Sequence, residues 1–591
     1  MSNWVIAPRA PREFIDALGA AGIDPLAAQT MHARGVRTLE EAQAFLDPTK
    51  TARPVDIFGL VDLRAAVTRI LAAIDGGEPI VVYGDYDCDG VTACALMHHT
   101  LAALGASFRI YIPNRFEEGY GLNAKALETL QAEGAKLVIT VDCGIRAIRE
   151  AARARALGLD LIITDHHELE GEAIPDALAV VNPKRGGAYT FDKLAGVGVA
   201  FRLAQGLLRE ARIRGKTPAL KESALLDLVA IGTVADVVPL EGENRALVRA
   251  GLDLINKGAR VGVAALMQAA RVTPGKVDAQ TIGFTLGPRL NAAGRLDTAQ
   301  AAYELLTTAD PVWAQELAAA LNHKNEQRQH VTAETARNAA EIALDAPLMF
   351  AAGVGYNAGV IGLAAARLVE KFYRPSVVVT LSEGEARGSC RSVPGFDITA
   401  ALDQCRDLLS RHGGHAAAAG FTTTPDKLDA LRERLQAIAG AQQPEGGWQR
   451  VIRADAELEL SGLSWKTLEQ LRQLEPHGAG NPRPVLVARA ARVFGAGRMG
   501  RGAEGEAPPH LKLRLHDNAR QPGRRWAGGW AIGPARPRSG RRLTWPSNSR
   551  STSGTARGGC NSCCRISGRL KRKRGSLSAD YADSRRFFFH T

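Results

Sequence analysis

The sequence predicts an α/β protein of several domains: a parallel sheet covered by helices, a set of bridging helices, a second α/β domain, a truncated β-barrel and a basic, disordered tail. Three observations predict it. Between residues 56 and about 270, apolar runs (EPIVVYG, AKLVIT, LDLIIT) alternate with Ala/Leu-rich helical stretches such as AKALETLQAEG. That is the pattern of parallel strands joined by covering helices. A second alternating block, from about 346 to 445, runs through RPSVVVTL to a Gly/Ala-rich end, GGHAAAAGF. From about 450 short strands take over, in RVIRADAELEL, VLVARAARVFG and HLKLRLHD, and these suit a small barrel.

The 591 residues leave room for three to five domains at roughly 100–200 residues each. Residues 1–55 read as a helical lead-in that ends in the Pro-containing stretch LDPTKTARPVD. Residues 56–290 hold the first alternating block. Residues 291–345 read as bridging helices, because AQAAYELL through ETARNAAEIAL has amphipathic spacing over a long span. The second block occupies 346–445, the partial barrel 446–517 and the tail 518–591. Hydrophobic residues make up 46% and charged ones 23%, as in a chain that buries a core. No apolar run approaches the ~18 residues of a membrane span, and the start, MSNWVIAPRAPREF, has no signal-peptide h-region. A soluble cytoplasmic protein is expected.

The net charge of +12 suggests a nucleic-acid footprint, but its location argues otherwise. Residues 518–591 carry 17 Lys/Arg and two acids, Asp580 and Asp583, a net of +15; the other 57 Lys/Arg face 60 Asp/Glu, a net of −3. Any basic DNA track in the body is therefore local. In the tail, Leu, Ile, Val and Phe supply eight of 74 residues, too few for a core. It reads as a disordered basic arm, a small separate domain, or out-of-frame translation of a GC-rich gene from near Asn518. The last is favoured, and it leaves the barrel without its final strands. Cys88, Cys94, Cys143, Cys390 and Cys405 have no CxxC or zinc spacing and read as reduced thiols.

Chemistry concentrates where the apolar runs of the first block end. EPIVVYG leads into Asp85-Tyr86-Asp87-Cys88-Asp89-Gly90, AKLVITV into Asp142-Cys143-Gly144, and LDLIIT into Asp165-His166-His167; LLDLVAIGTVADVVPL places Asp236 at the end of a fourth. Ligands of an open parallel sheet bind beyond the carboxyl ends of its strands, so four strand ends are expected to deliver acids and imidazole to one edge. So many carboxylates repel one another unless cations neutralise them. Carboxylates with one or two imidazoles suit Mn²⁺ or Mg²⁺ better than zinc. Asp85 to Gly90 also spells the opening of an EF-hand loop, but that loop needs Glu at its twelfth position, here Leu96, and a helix before it. Gly90 and Gly144 are expected to let the backbone turn sharply at the site.

GDYDCDG, TVDCG, TDHH and VADVVPL, in that order, resemble the motifs of the DHH phosphoesterase superfamily. PNRFEEGYGL, GPRLNAAGR and GGHAAAAG make residues 1 to about 517 resemble its single-strand-specific DNA exonucleases. The resemblance implies a DHH domain, a DHH-associated domain and an oligonucleotide-binding (OB) barrel entered through HGAGNPRP. It also implies two ions, Mn²⁺ or Mg²⁺, one on Asp85, Asp87 and Asp142, the other on Asp89, Asp142, His166 and Asp236, with Asp142 bridging. His167 is then a donor near the scissile phosphate, and Asp165 orients it. Two such ions clamp both the attacking and the leaving oxygen of a phosphodiester.

Arg289, Asn291 and Arg295 of GPRLNAAGR, with Ser389 and Arg391 of SCRS, are candidate phosphate contacts, since a guanidinium fork matches phosphate oxygens. Arg391 with Ser389 is expected to form a 5′-phosphate pocket. Asn114 and Arg115 are expected at the mouth of the metal site, and His415, among glycines and small residues, where ligand and backbone approach closely. GYNAGVIGLAAARL carries Tyr356 and Asn357 where the family pattern has Trp-His; Tyr still stacks on a base and Asn still hydrogen-bonds. The activity implied is a metal-dependent 5′-to-3′ exonuclease that releases mononucleotides from single-stranded DNA in repair and recombination. It is expected to act as a monomer, with single-strand-binding protein and a RecQ-type helicase as partners. A phosphodiesterase of short oligonucleotides or cyclic dinucleotides is the alternative, although such substrates need neither barrel nor bridging helices. A non-catalytic scaffold is a weaker one, because every ligand is present.

Overall fold

The computed structural model describes residues 3–48 and 55–491, except 116, 120, 170, 172, 343–345 and 490, together with the backbone of six short strands beyond them. Most of the tail, with the disorder and out-of-frame readings made for it, lies outside the described residues. The chain divides into two compact units: Ala52–Trp448 with Pro476–Asn481, and Met1–Thr51 with Gln449–Glu475 and Pro482–Thr591.

The terminal unit begins with a strand, β1 (Asn3–Ile6), not with a helix as the lead-in reading expects. It pairs in parallel with Val451–Ala454, Asn3 opposite Val451. Four residues show no period, and the partner lies about 450 residues further along, so local pattern cannot reveal it. Helices Arg12–Ala20, Pro25–Ala33 and Leu39–Leu46 follow. The Asp24 side chain accepts from Leu26 N–H at 2.9 Å, which caps the second helix, and from the Thr467 hydroxyl at 3.0 Å. Phe14, Leu18 and Met31 pack with Leu471, Leu474 and Leu486 in one apolar cluster. The lead-in therefore shares its core with the segment after residue 449. Arg492–Met499, His510–His516 and Trp530–Pro534 make an antiparallel three-stranded sheet.

The central unit holds the predicted parallel sheet. Its strands β2 (Ile80–Gly84), β3 (Phe108–Tyr111), β4 (Leu137–Val141), β5 (Asp160–Thr164) and β6 (Ala179–Val181) lie in the order β3-β2-β4-β5-β6, all parallel. Ile80, Val82, Leu137 and Ile139 face one apolar cluster; Val81, Tyr83, Val138 and Ile163 face the other. Burial on both faces is why these strands read as continuous apolar runs. The chain passes from β2 to β3 on one side and then returns to β4 on the other. That reversal opens a crevice at the carboxyl ends of β2 and β4.

The fourth apolar run is not a strand. It folds as the helix Leu226–Ala235, whose residues 227–233 are all buried. A run apolar on every side carries no period to tell helix from strand.

The second sheet comprises β7 (Met349–Val354), β8 (Ser376–Ser382), β9 (Glu385–Arg391), β10 (Arg411–His415) and β11 (Ala418–Thr423), in the order β10-β11-β9-β8-β7. Only β7 and β8 pair in parallel. The helix Pro311–Ile342 spans 32 residues, about 48 Å at 1.5 Å per residue. It packs on Val261–Ala269 and Gly287–Leu296 of the first domain and on Ile361–Phe372 of the second, so it ties the two sheets together.

Leu18 is fully buried in the terminal unit. Leu18→Ala should destabilise that unit by about 2–5 kcal/mol. Differential scanning calorimetry should show its transition moving down while that of the central unit stays in place.

Candidate metal centre and its surroundings

The residues after β2, β4 and β5 meet at the crevice. Asp85 follows β2 directly and is 4% exposed. Asp87 is the N-cap of the helix Cys88–Ala103, its carboxylate accepting from the N–H groups of Asp89 and Gly90 at 2.9 and 3.1 Å. Asp89 lies in the first turn of that helix and is held from outside it. Gly196 and Val197 N–H, at the start of the helix Gly196–Ile213, donate to its two carboxylate oxygens at 2.6 and 2.9 Å. A helix N-terminus is a fitting partner for a buried anion. Asp142 follows β4 in the left-handed region, at φ 64°, a conformation that turns its side chain back over the crevice at a cost in backbone strain.

After β5, Asp165 gathers the next two residues. One of its oxygens accepts from His166 N–H at 2.7 Å, His167 N–H at 3.1 Å and His167 Nδ1 at 2.7 Å; the other accepts from Ile145 N–H at 2.9 Å. Asp236 arrives as the C-cap of Leu226–Ala235, at a helix end where the sequence suggests a strand end.

These side chains form three overlapping triads whose ligand atoms lie within 4.8 Å of one another: Asp85/Asp87/Asp142, Asp89/His166/Asp236 and Asp142/His166/His167. His166 Nε2 stands 3.2 Å from Asp142, 3.6 Å from Asp236 and 3.9 Å from Asp89. Yet Asp85 Oδ1, Asp142 Oδ1 and His166 Nε2 are buried with no hydrogen-bond partner. His166 bonds the Leu194 backbone, and burial lowers its basicity to about 4. The ring is therefore neutral, and Nε2 presents a lone pair to a carboxylate. Two acceptors facing each other at 3.2 Å are held apart by nothing in the protein, and buried acceptors left unmatched are costly. Divalent cations of the Mn²⁺ or Mg²⁺ kind fit this oxygen-rich donor set.

Two glycines differ in what they contribute. Gly144 has φ +110° and makes the expected turn. Gly90 lies inside a helix, and its role is space: a Cβ there would run into the Asp85 backbone.

Beside the acids stands a group of cations. Arg295 is half-buried, and its basicity falls to about 10 through desolvation first and then through the charges of Arg115, Arg328 and Arg391. Arg391 is lowered by burial and also feels Arg115; its Nη1 bonds the Cys390 carbonyl at 2.7 Å, and Ser389 Oγ lies 3.4 Å away. Arg115 lies 5.0 Å over the Tyr86 ring. These arginines come from the loop after β3, the end of the helix Gly287–Leu296 and strand β9.

Other sequence candidates are placed differently. The Asn291 Oδ1 accepts from Cys88 N–H at 2.8 Å and fastens the aspartate loop. Arg289 bonds Asn322 at 3.0 Å and the Thr285 carbonyl at 2.7 Å. Asn357 closes a turn onto Gly359 N–H at 2.8 Å, and the Tyr356 ring packs over Gly353. The Asn114 N–H is held by Glu118 at 2.7 Å. His415 is exposed at the end of strand β10. Sequence reasoning passes over Gly196, Val197 and the buried Asn182, whose amide donates to the His167 carbonyl at 3.0 Å. The small-residue stretch AGVGVAF before a helical run is the available signal.

Without a cation, burial first and neighbouring carboxylates second raise Asp89 to about 7 and Asp236 to about 9, and raise Asp85 and Asp142 as well. The fold then binds protons that the unfolded chain has released, so this stabilisation is complete at low pH and lost as pH rises through 7 to 9. His166 acts in the opposite sense below about 6.5, which leaves pH 6.5–9 as the clear window. Cation-free protein should lose melting temperature across it, and saturating Mn²⁺ should remove the loss. A melting temperature that climbs there without cations would contradict a crowd of buried carboxylates.

The DHH family N-terminal domain matches residues 79–233, the DHHA1 domain 345–441 and the RecJ OB domain 454–530. The chain is 40% identical over 506 residues to the single-stranded-DNA-specific exonuclease RecJ of Bacillus subtilis, an alignment covering 84% of this chain and 62% of that one. It is 36% identical to RecJ of Dickeya dadantii over 82% and 85% of the two chains. Among solved structures, RecJ of Thermus thermophilus in complex with Mn²⁺ is similar with a TM-score of 0.75 at 30% identity, over 91% of this chain and 80% of that one. An exonuclease RecJ bound to manganese is similar with a TM-score of 0.58 at 37% identity, over 66% and 97%. With its aspartate–histidine crevice, three matched domains and this degree of identity, the chain belongs to the RecJ family.

Proposed function

We propose that the protein is a single-stranded-DNA-specific exonuclease that removes mononucleotides from the 5′ end by hydrolysing phosphodiesters, in DNA repair and recombination. One observation carries the reading: unmatched buried acceptors crowd the crevice, and the mutually repelling cations of Arg115, Arg295 and Arg391 stand beside them. The first group calls for cations and the second for an anion. A phosphodiester whose terminal phosphate reaches the arginines satisfies both. The names of the relatives supply the polymer and its single strand.

Two Mn²⁺ or Mg²⁺ ions, one on Asp85, Asp87 and Asp142 and the other on Asp89, Asp142, His166 and Asp236, would neutralise these carboxylates and supply Lewis acidity toward the phosphodiester. Asp165 holds His167 through Nδ1. Burial opposes protonation of that ring, but the Asp165 bond and the charges of Asp165, Asp85 and Asp89 together outweigh it and raise the basicity of His167. Its side chain is 36% exposed, which suits a donor that hands a proton to the leaving oxygen. Ser389 and Arg391 grip the 5′-phosphate, Arg115, Asn114 and Arg295 flank it, and Arg289 and Asn291 support the wall from beneath. Tyr356 stacks a base, while Asn357 and His415 border the path of the strand. The OB domain binds single strands. The protein works as a monomer in the cytoplasm, where a RecQ-type helicase supplies single strands and single-strand-binding protein covers them.

Purified protein with Mn²⁺ should release a 5′ label from single-stranded DNA early and as mononucleotide. Asp142→Ala should reduce that release at least about a hundredfold. Release from the 3′ end first, or turnover confined to cyclic or very short oligonucleotides, would reject the reading. Arg391→Lys keeps the charge but loses the fork. It should raise KM for 5′-phosphorylated strands about tenfold, the worth of one charge-assisted hydrogen bond, and leave strands with a 5′-hydroxyl nearly unaffected in steady-state assays.

A further inference from the structure

The loop after β3 carries Arg115 on a short stretch between the edge strand and the helix Ala124–Ala132. One side chain organises it. Glu118 Oε1 accepts from Asn114 N–H at 2.7 Å, and Oε2 accepts from the Tyr111 hydroxyl at 2.5 Å and the Asn123 amide at 3.3 Å. Glu118 N–H returns a bond to the Asn114 carbonyl at 2.8 Å, so Asn114 and Glu118 are tied to each other in both directions. The donors come from three places. Tyr111 ends strand β3, and Asn123 caps the following helix through Ala126 N–H at 2.7 Å. Asn123 also donates to the Tyr83 hydroxyl at 3.3 Å, and that hydroxyl donates to the Gly121 carbonyl at 3.0 Å. Tyr83 is the last residue but one of β2, two positions before Asp85.

We propose that Glu118 is a positioning residue: it clamps the Arg115 loop to the β2–β3 edge, so that the guanidinium is held ready beside the aspartate crevice and presented to the substrate phosphate. A carboxylate is the suitable group. It offers two acceptor oxygens to three donors, and its bonds to a backbone N–H and a tyrosine hydroxyl are of the stronger, charge-assisted kind. Arg115 needs such support because it approaches Arg295 and Arg391, whose charges oppose its own. A free loop would let the guanidinium swing out to solvent. The substrate arm of this proposal rests on the nuclease reading; the positioning arm does not.

The test uses Glu118→Ala, Glu118→Gln, Arg115→Ala and the double variant Glu118→Ala/Arg115→Ala in the full chain. Amide hydrogen exchange, with no substrate present, should show faster exchange at residues 113–118 in Glu118→Ala and a smaller increase in Glu118→Gln, whose remaining oxygen can still accept one bond. In steady-state assays on 5′-phosphorylated single strands, Glu118→Ala should raise KM about tenfold with a much smaller change in kcat, as expected for lost substrate binding. The double variant should be no worse than Arg115→Ala, because the two residues act as one unit. Unchanged exchange in the loop would overturn the proposal. So would additive effects of the two substitutions, or equal losses on 5′-phosphate and 5′-hydroxyl strands with a lowered melting temperature, which mark a merely structural role. A wild-type chain with no nuclease activity would sink the nuclease reading alone, since the exchange measurement still decides whether Glu118 holds the loop.

Discussion

Repulsion among four crowded carboxylates, three buried and one half-buried, is the constraint around which the central unit is organised. Asp85, Asp89, Asp142 and Asp236 are drawn from two strand ends and the ends of two helices, and burial alone pushes each of them toward its neutral form. The surrounding structure supplies partial compensation in fixed directions. The amino end of Gly196–Ile213 faces Asp89, Asn291 pins the loop between Asp85 and the helix, and glycines stand where a side chain would touch a ligand. Gly196 abuts Asp142, and Gly232 abuts Asp89. None of this cancels the charge. The arrangement is that of a socket whose contents complete its electrostatics.

The second sheet answers the first with the opposite sign. Arg391 sits on its strand β9 and Arg295 at the end of a helix from the first domain, with Arg295 Nη1 reaching the Gly359 carbonyl at 3.3 Å. Gly359 and Gly362 allow that approach: a Cβ at the first would strike the Arg295 backbone, and one at the second would crowd Ser389 and Arg391. Close packing around the arginines keeps them partly dehydrated, which strengthens their attraction for an anion. Charge of one sign thus fills the crevice, and charge of the other sign stands beside it.

How much of this is legible in the sequence depends on whether the physics is local. Strands β2, β4 and β5 are buried on both faces, so each appears as an unbroken apolar run, and the acids that follow are easy to find. The same rule misleads at LLDLVAIGTVA, where a helix buried on all sides has the same appearance. The second α/β block and the helical character of most of the lead-in follow from local pattern, whereas the mixed pairing of the second sheet does not. Strand β1 does not, because its pairing is set by residues near 451. In the sequence Asn291 reads as a candidate phosphate contact and Glu118 as one letter of a recognisable motif. Only the folded chain reveals that one bonds Cys88 and the other Asn114, Tyr111 and Asn123, since tertiary partners leave no trace in local spacing.

The pairing of β1 with Val451–Ala454 sets a timetable for synthesis. At about 5–20 residues per second on the ribosome, roughly 20–90 s separate the emergence of the first strand from that of its partner. Throughout that interval Phe14, Leu18 and Met31 lack Leu471, Leu474 and Leu486, the residues that complete their core. The central unit, whose residues lie almost wholly between the two halves, can finish folding in the meantime. The nascent chain thus carries an amino-terminal fragment with an uncompleted apolar face while the central domain matures behind it.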